Sequence, residues 1–156
     1  MRELSNELLG VVKSAEARLV QVSEAESNKP VLSGGWSRKQ VLGHLIDSAS
    51  NNHQRFVRAA LRNSLNFPDY DQDGFVRVQA VETASWTLLV SLWTVYNGYL
   101  AHVIAHLPES RLGTLCRIGS DEPVTLKFLG EDYLRHLLHH LRQIGAAPSS
   151  NEELQR

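Results

Sequence analysis

Seven histidines are spread through this chain of 156 residues, and three of them fall within one short segment, DYLRHLLHHLRQI. On an α-helix, residues four apart share a face, so His136 and His140 point the same way. Leu134, Leu137, Leu138, Leu141 and Ile144 form an apolar stripe on that helix. His136, His140 and Tyr133 run along one edge of the stripe, while His139 falls roughly opposite, beside Arg135, Arg142 and Gln143. Neutral imidazoles one turn apart can both reach one divalent ion at about 2 Å. Two protein ligands rarely suffice, so a third must come from another helix. His44 is the best placed, on a polar stripe with Ser48, Asn51 and Arg55 that flanks an apolar face. Spacing by itself does not select this set. His102 and His106 are also four apart, and HxxxH pairs arise by chance.

Four segments have the apolar periodicity needed to position such groups. Leu4, Leu8, Val11, Val12, Ala15, Leu19 and Val22 mark a first helix, ended by a polar stretch with Pro30, Gly34 and Gly35. A second opens with Ser37 and Gln40 in capping-box spacing and buries Val41, Leu42, Leu45, Ile46, Ala49, Phe56 and Ala60. A third runs from about Ser85 to Leu107, with Trp86, Leu89, Trp93, Tyr96, Leu100, Val103 and Ile104 on one face and Pro108 as its stop. The fourth starts near Thr125, a plausible N-cap, and ends at Gly145. No run shows sustained period-two alternation. Four amphipathic helices bury their stripes against each other, which predicts an all-α four-helix bundle over residues 1–146 and a polar tail over 147–156. Residues 63–84 form a long connection between the second and third helices, and such connections often serve function.

Bulk properties narrow the class. The hydrophobic fraction is 42% and the charged fraction 21%, as in ordinary globular domains. A formal charge of -1, from 16 basic and 17 acidic residues, gives no field for nucleic acid or an anionic membrane. Cys116 is the single cysteine, so no internal disulfide forms. Arg2, Glu3 and Glu7 stand where a signal peptide needs an apolar run, and no stretch approaches the ~18 apolar residues of a membrane span. The expectation is a soluble, cytoplasmic protein with a small-molecule substrate, no nucleic-acid or membrane partner, and homodimer formation left open.

The segments WSRKQVLGHLIDSASNNHQRF, YDQDGFV, the tryptophan-bearing third helix and YLRHLLHHLRQI, in that order, resemble the DinB/YfiT superfamily of metal-dependent enzymes. The resemblance covers nearly the whole chain. It implies a four-helix bundle whose metal triad maps onto His44, His136 and His140, with zinc or nickel and an open coordination position. It also implies relatives that transfer a low-molecular-weight thiol (bacillithiol, mycothiol or glutathione) to an electrophile, and others that are thiol-dependent isomerases. Asn51, Arg55 and Tyr133 are the candidates to orient the polar groups of such a thiol.

Other features compete for attention. Asp69, Asp71, Asp73 and Gly74 imitate a calcium loop, but Ala80 stands where the bidentate Glu is required. Tyr70, Asp71 or Gln72 fit better as contacts near the site or as a simple turn. Asp47, one turn from His44, points away from its stripe. Cys116 lacks an activating partner, and Trp36, Trp86 and Trp93 read as core anchors. The leading function is a metal-dependent thiol transferase. A metal-dependent hydrolase, or a binding or dimerisation module without catalysis, are the alternatives.

Overall fold

The computed structural model describes residues 1–31 and 35–148. Four long helices dominate: α1 (Arg2–Leu19), α3 (Arg38–Ala60), α5 (Trp86–Ala105) and α6 (Leu126–Gln143), with two short ones, α2 (Glu24–Ser27) and α4 (Gln72–Val78). Helices α1 and α3 each pack against both α5 and α6, closing a four-cornered bundle. Their stripes meet in a core built from Leu8, Leu19, Leu42, Leu45, Phe56 and Trp93, with Leu100, Ile104, Leu137 and Leu141 beside them. Burial of these side chains is the main force holding the helices together.

The helix ends follow the sequence signals. Ser37 and Gln40 form the complete capping box of α3, and the Thr125 hydroxyl accepts the Phe128 amide at the start of α6. After α6 the chain turns at Gly145, whose φ of +72° is a left-handed conformation that glycine adopts without strain. Close approach matters at Gly43: a Cβ there would lie 2.5 Å from Val81 Cγ1, so any larger residue would push the 81–83 turn off α3.

Helix α2 ties three corners together. The Glu24 carboxylate pairs with the Lys39 ammonium and accepts the Trp86 backbone N–H at 2.8 Å. Lys39 also donates to the Glu82 carbonyl, and the Trp86 indole N–H donates to Leu19 O at 2.8 Å. Trp86 and Trp93 are core anchors, whereas Trp36 is half-buried and packs beside His44.

The structure adds two features to the reading from sequence. The bundle also carries a three-stranded sheet in the order β1 (Ser64–Phe67), β2 (Leu115–Ile118), β3 (Val124–Thr125). Strand β1 runs parallel to β2, with Ser64 opposite Leu115, and β2 is antiparallel to β3. Strands this short leave no alternation to read. The 63–84 connection is therefore structured, supplying β1 and α4. Second, α5 reaches the length and mean hydropathy (1.3) of a membrane span. Its inner face, with Trp93, Leu100 and Ile104, lies in the core, and its outer face exposes Leu88, Leu92, Val95 and Tyr99. Of the tail, Ala147 packs against the core and residues 149–156 lie outside those described; Ala146, just before it, is buried.

Candidate metal centre

The position of His44 follows from α3. Val41, Leu42 and Leu45 pull that face inward, and His44 goes with them until it is 0% exposed. His136 and His140 reach the same point from α6, one turn apart and half-buried. His136 Nε2 lies 3.2 Å from His44 Nε2 and 3.1 Å from His140 Nε2. Nitrogens held at about 2 Å from one tetrahedral ion stand about 3.3 Å apart, so the three rings fit a shared ion. Among the described residues, these three form the one His/Cys/Asp/Glu group compact enough to hold a metal.

Electrostatics point the same way. Burial, reinforced by the neighbouring imidazoles, lowers the His44 pKa to about 3, and burial lowers that of His136 to about 4. The His140 pKa is also lowered, chiefly by burial. All three rings are neutral at pH 7, the state in which imidazole binds metal. His140 Nδ1–H donates to Gln143 Oε1 at 2.8 Å, leaving its Nε2 lone pair facing the other two rings. Ser48 Oγ lies 3.5 Å from His136 Nδ1, a long contact. His44 Nδ1 is buried and lacks a hydrogen-bond partner among the described residues. Leaving such a group unpaired costs about 1–3 kcal/mol, a cost that packing alone does not require. An ion on Nε2 would put the ring proton on Nδ1 without giving it an acceptor, so the ligand role of His44 rests on the place of its Nε2 beside His136.

The other histidines stay away. His139 is exposed and accepts from the Gln143 side-chain amide at 3.0 Å. His53 contacts Tyr96 and Tyr99, and His102 lies against His106, just past the end of α5, with the rings tilted. The Asp47 carboxylate is held by Gln79 at 2.9 Å, which takes it out of the histidine cluster.

A cleft of about 320 Å³ opens from His136 between α3, α6 and the small sheet. Arg55, Tyr70 and Gln72 line it. Tyr133 also reaches the cleft, but its hydroxyl donates to Asn97 Oδ1 and is committed inside the bundle. Asn51 does not line the cleft; its side chain donates to the Asp47 carbonyl one turn back. Asn52 takes that place, bonded to Ser48 O at 2.9 Å. The sequence reading passed over Asn52; its i+4 relation to Ser48 is the signal that could have found it. Asp71 caps α4 through the Gly74 amide, which accounts for the calcium-like loop as a helix start. Cys116 faces the cleft from β2, fully buried, its thiol pKa raised by burial.

A bundle in which three histidines from two helices converge beside a cleft is the architecture of a helical metal-site protein. The sequence from residue 8 to 144 matches the model of the DinB superfamily, and the chain belongs to that family. It is 23% identical over 139 residues to a Bacillus pumilus protein named "Putative metal-dependent hydrolase", covering 89% of this chain and 79% of that one. A Bacillus subtilis relative of the same description, YfiT, is 22% identical over 148 residues, with 92% and 83% covered. The solved structure of Bacillus subtilis YfiT, described as having an unusual four-helix bundle topology, superposes with a TM-score of 0.72 at 21% identity. That match covers 94% of this chain and 89% of YfiT. A mycothiol-dependent maleylpyruvate isomerase superposes with a TM-score of 0.73 at 16% identity, over 93% of this chain and 59% of the isomerase.

Proposed function

We propose that this protein is a metal-dependent enzyme whose ion is held by His44, His136 and His140 and whose small-molecule substrate occupies the adjoining cleft. The observation that carries this reading is the convergence of the three rings, with His136 Nε2 at 3.2 Å from His44 Nε2 and 3.1 Å from His140 Nε2, and His136 itself on the cleft wall. A divalent ion on three neutral imidazoles supplies Lewis acidity and an open position at which water or a thiol loses its proton near neutral pH. The chain's own residues do the rest. Gln143 fixes the His140 ring, burial keeps His44 uncharged, and Ser48 and Asn52 present polar atoms to the cleft beside His136.

Thiol transfer to an electrophile is our leading reaction. It is supported by the absence of an activated nucleophile among the cleft residues: Cys116 is held as a thiol, and Tyr133 is engaged with Asn97. An exogenous thiol meets that need. The mycothiol dependence of one structural neighbour is in keeping with this. The naming of two relatives as hydrolases favours the second reading, attack by water at the same position.

The deciding experiment measures metal content after purification without chelator. Rates are then compared for metal-loaded and stripped protein, with several low-molecular-weight thiols and a generic electrophile, and with an ester panel lacking thiol. We expect about one zinc or nickel per chain and a rate needing both metal and thiol. A metal-dependent rate on esters alone would move the assignment to hydrolysis. Protein that binds no divalent ion would overturn the reading.

A further inference from the structure

Arg55 sits on the floor of the cleft only 9% exposed, yet makes no hydrogen bond or ion pair with any described residue. Its Nε is fully buried and unpartnered. A guanidinium cannot shed its proton to escape burial, so an unpaired one is costly to hold in a folded protein. What surrounds it is incomplete compensation. The Phe67 ring lies 5.6 Å away, giving a cation–π contact to one face. Asp69 and Asp132 attract it from a distance, but neither comes within ion-pair range, and Asp69 is exposed at the cleft mouth with Asp121 and Glu122.

We infer that the cleft selects a small molecule bearing a single carboxylate, with Arg55 as its anchor and His136 on the adjoining wall. This rests on the reading of the cleft as the substrate site of the histidine centre. The planar guanidinium fork matches a carboxylate in two parallel N–H···O bonds. One buried cation balances one negative charge, and the acids at the mouth repel a more highly charged anion such as phosphate. The carboxylate completes a site that the chain leaves unfinished. Arg55 is thus a specificity-determining residue and takes no part in bond making.

The test uses the full chain, zinc-loaded and metal-stripped, titrated with 3-mercaptopropionate, its neutral amide and inorganic phosphate, with affinity read from amide chemical shifts and zinc content measured in parallel. Wild-type protein is expected to favour the acid over the amide by roughly tenfold or more, with zinc and without it. Arg55→Gln should reduce that preference to near unity while keeping its zinc, and Arg55→Lys should restore part of it. Equal binding of acid and amide by the wild-type protein, failure to bind the acid, an unchanged preference in Arg55→Gln, or tighter binding of phosphate than of the acid would each overturn the inference. The wild-type comparison stands even where a variant folds poorly. Loss of zinc binding with the acid preference intact would overturn the metal-centre reading and leave this one standing.

Discussion

Gln143 and His140 stand less than one turn apart at the end of α6, and the glutamine carbonyl takes the Nδ1 proton of the histidine at 2.8 Å. The same amide gives its N–H to His139 at 3.0 Å, which orients the glutamine. The pair thereby sets the tautomer of His140, a member of the proposed metal triad. Partners of this kind change metal affinity about 10- to 100-fold. Because the Gln143 bond is open to solvent, Gln143→Leu should weaken zinc binding by about tenfold, at the low end of that range. Competition against a zinc chelator checks it, and an unchanged affinity would remove the orienting role.

His139 and His140 are chain neighbours with opposite fates, one exposed and one at the centre. His139→Ala should keep about one zinc per chain, whereas His140→Ala should lose most of it, since two protein ligands rarely hold an ion. Elemental analysis after dialysis distinguishes them. Equal losses would mean that the α6 face is misassigned.

How much of this was legible in the sequence depends on the residue. The four helices were readable because each carries a long apolar stripe between clear stops, such as Ser37 and Gly145. The HxxxH pair was readable because it lies within one helix. The place of His44 beside it depends on how α3 packs on α6, which periodicity does not contain. Strands of four, four and two residues are too short to announce themselves. The polar lining of the cleft was half legible. Arg55 lay on the right stripe, but Asn52 rather than Asn51 reaches the opening, a difference of one helical position.

The metal-free protein should lose stability in mild acid. His44 and His136 have folded pKa values of about 3 and about 4, below the ordinary 6.5. Between those limits the unfolded chain takes up protons that the folded chain refuses, so stability is present above pH 6.5 and falls as the pH drops towards 4. Each histidine contributes a slope of at most about 1.4 kcal/mol per pH unit. Urea unfolding of stripped protein at pH 7 and pH 5 should differ by roughly 2–4 kcal/mol. A flat profile would show that the rings are not buried as neutral bases.

Cys116 should behave as an inert core thiol. It is fully buried, donates weakly to the Thr114 carbonyl at 3.5 Å, and burial raises its pKa. Alkylation of the native protein by iodoacetamide at pH 7 should be at least about tenfold slower than after unfolding. Cys116→Ala should retain metal and any metal-dependent rate. A dead Cys116→Ala variant with its metal in place would refute the proposed chemistry.

The Tyr133 hydroxyl and Asn97 join α6 to α5, and the Asn97 amide continues to the Trp93 carbonyl at 2.9 Å. Tyr133→Phe leaves Asn97 with an unmatched buried oxygen and should cost about 1–3 kcal/mol in denaturant unfolding. Zinc content should stay unchanged, because the lost bond belongs to the bundle interior.

The pairing of β1 with β2 has a kinetic consequence. It joins Ser64 to Leu115 across the whole of α4 and α5, so the entropy of a long closure is set against a few strand bonds. The packing of α1 on α5 and of α3 on α6 spans still more of the chain. The wall of the cleft that carries Cys116 and Ile118 is held by strands of only four, four and two residues, which makes it the wall most easily opened. Amide exchange in Leu65 and Cys116 should outpace that in Leu45 and Leu137. The cleft can thus widen along its sheet wall while the helical wall that carries His136 holds.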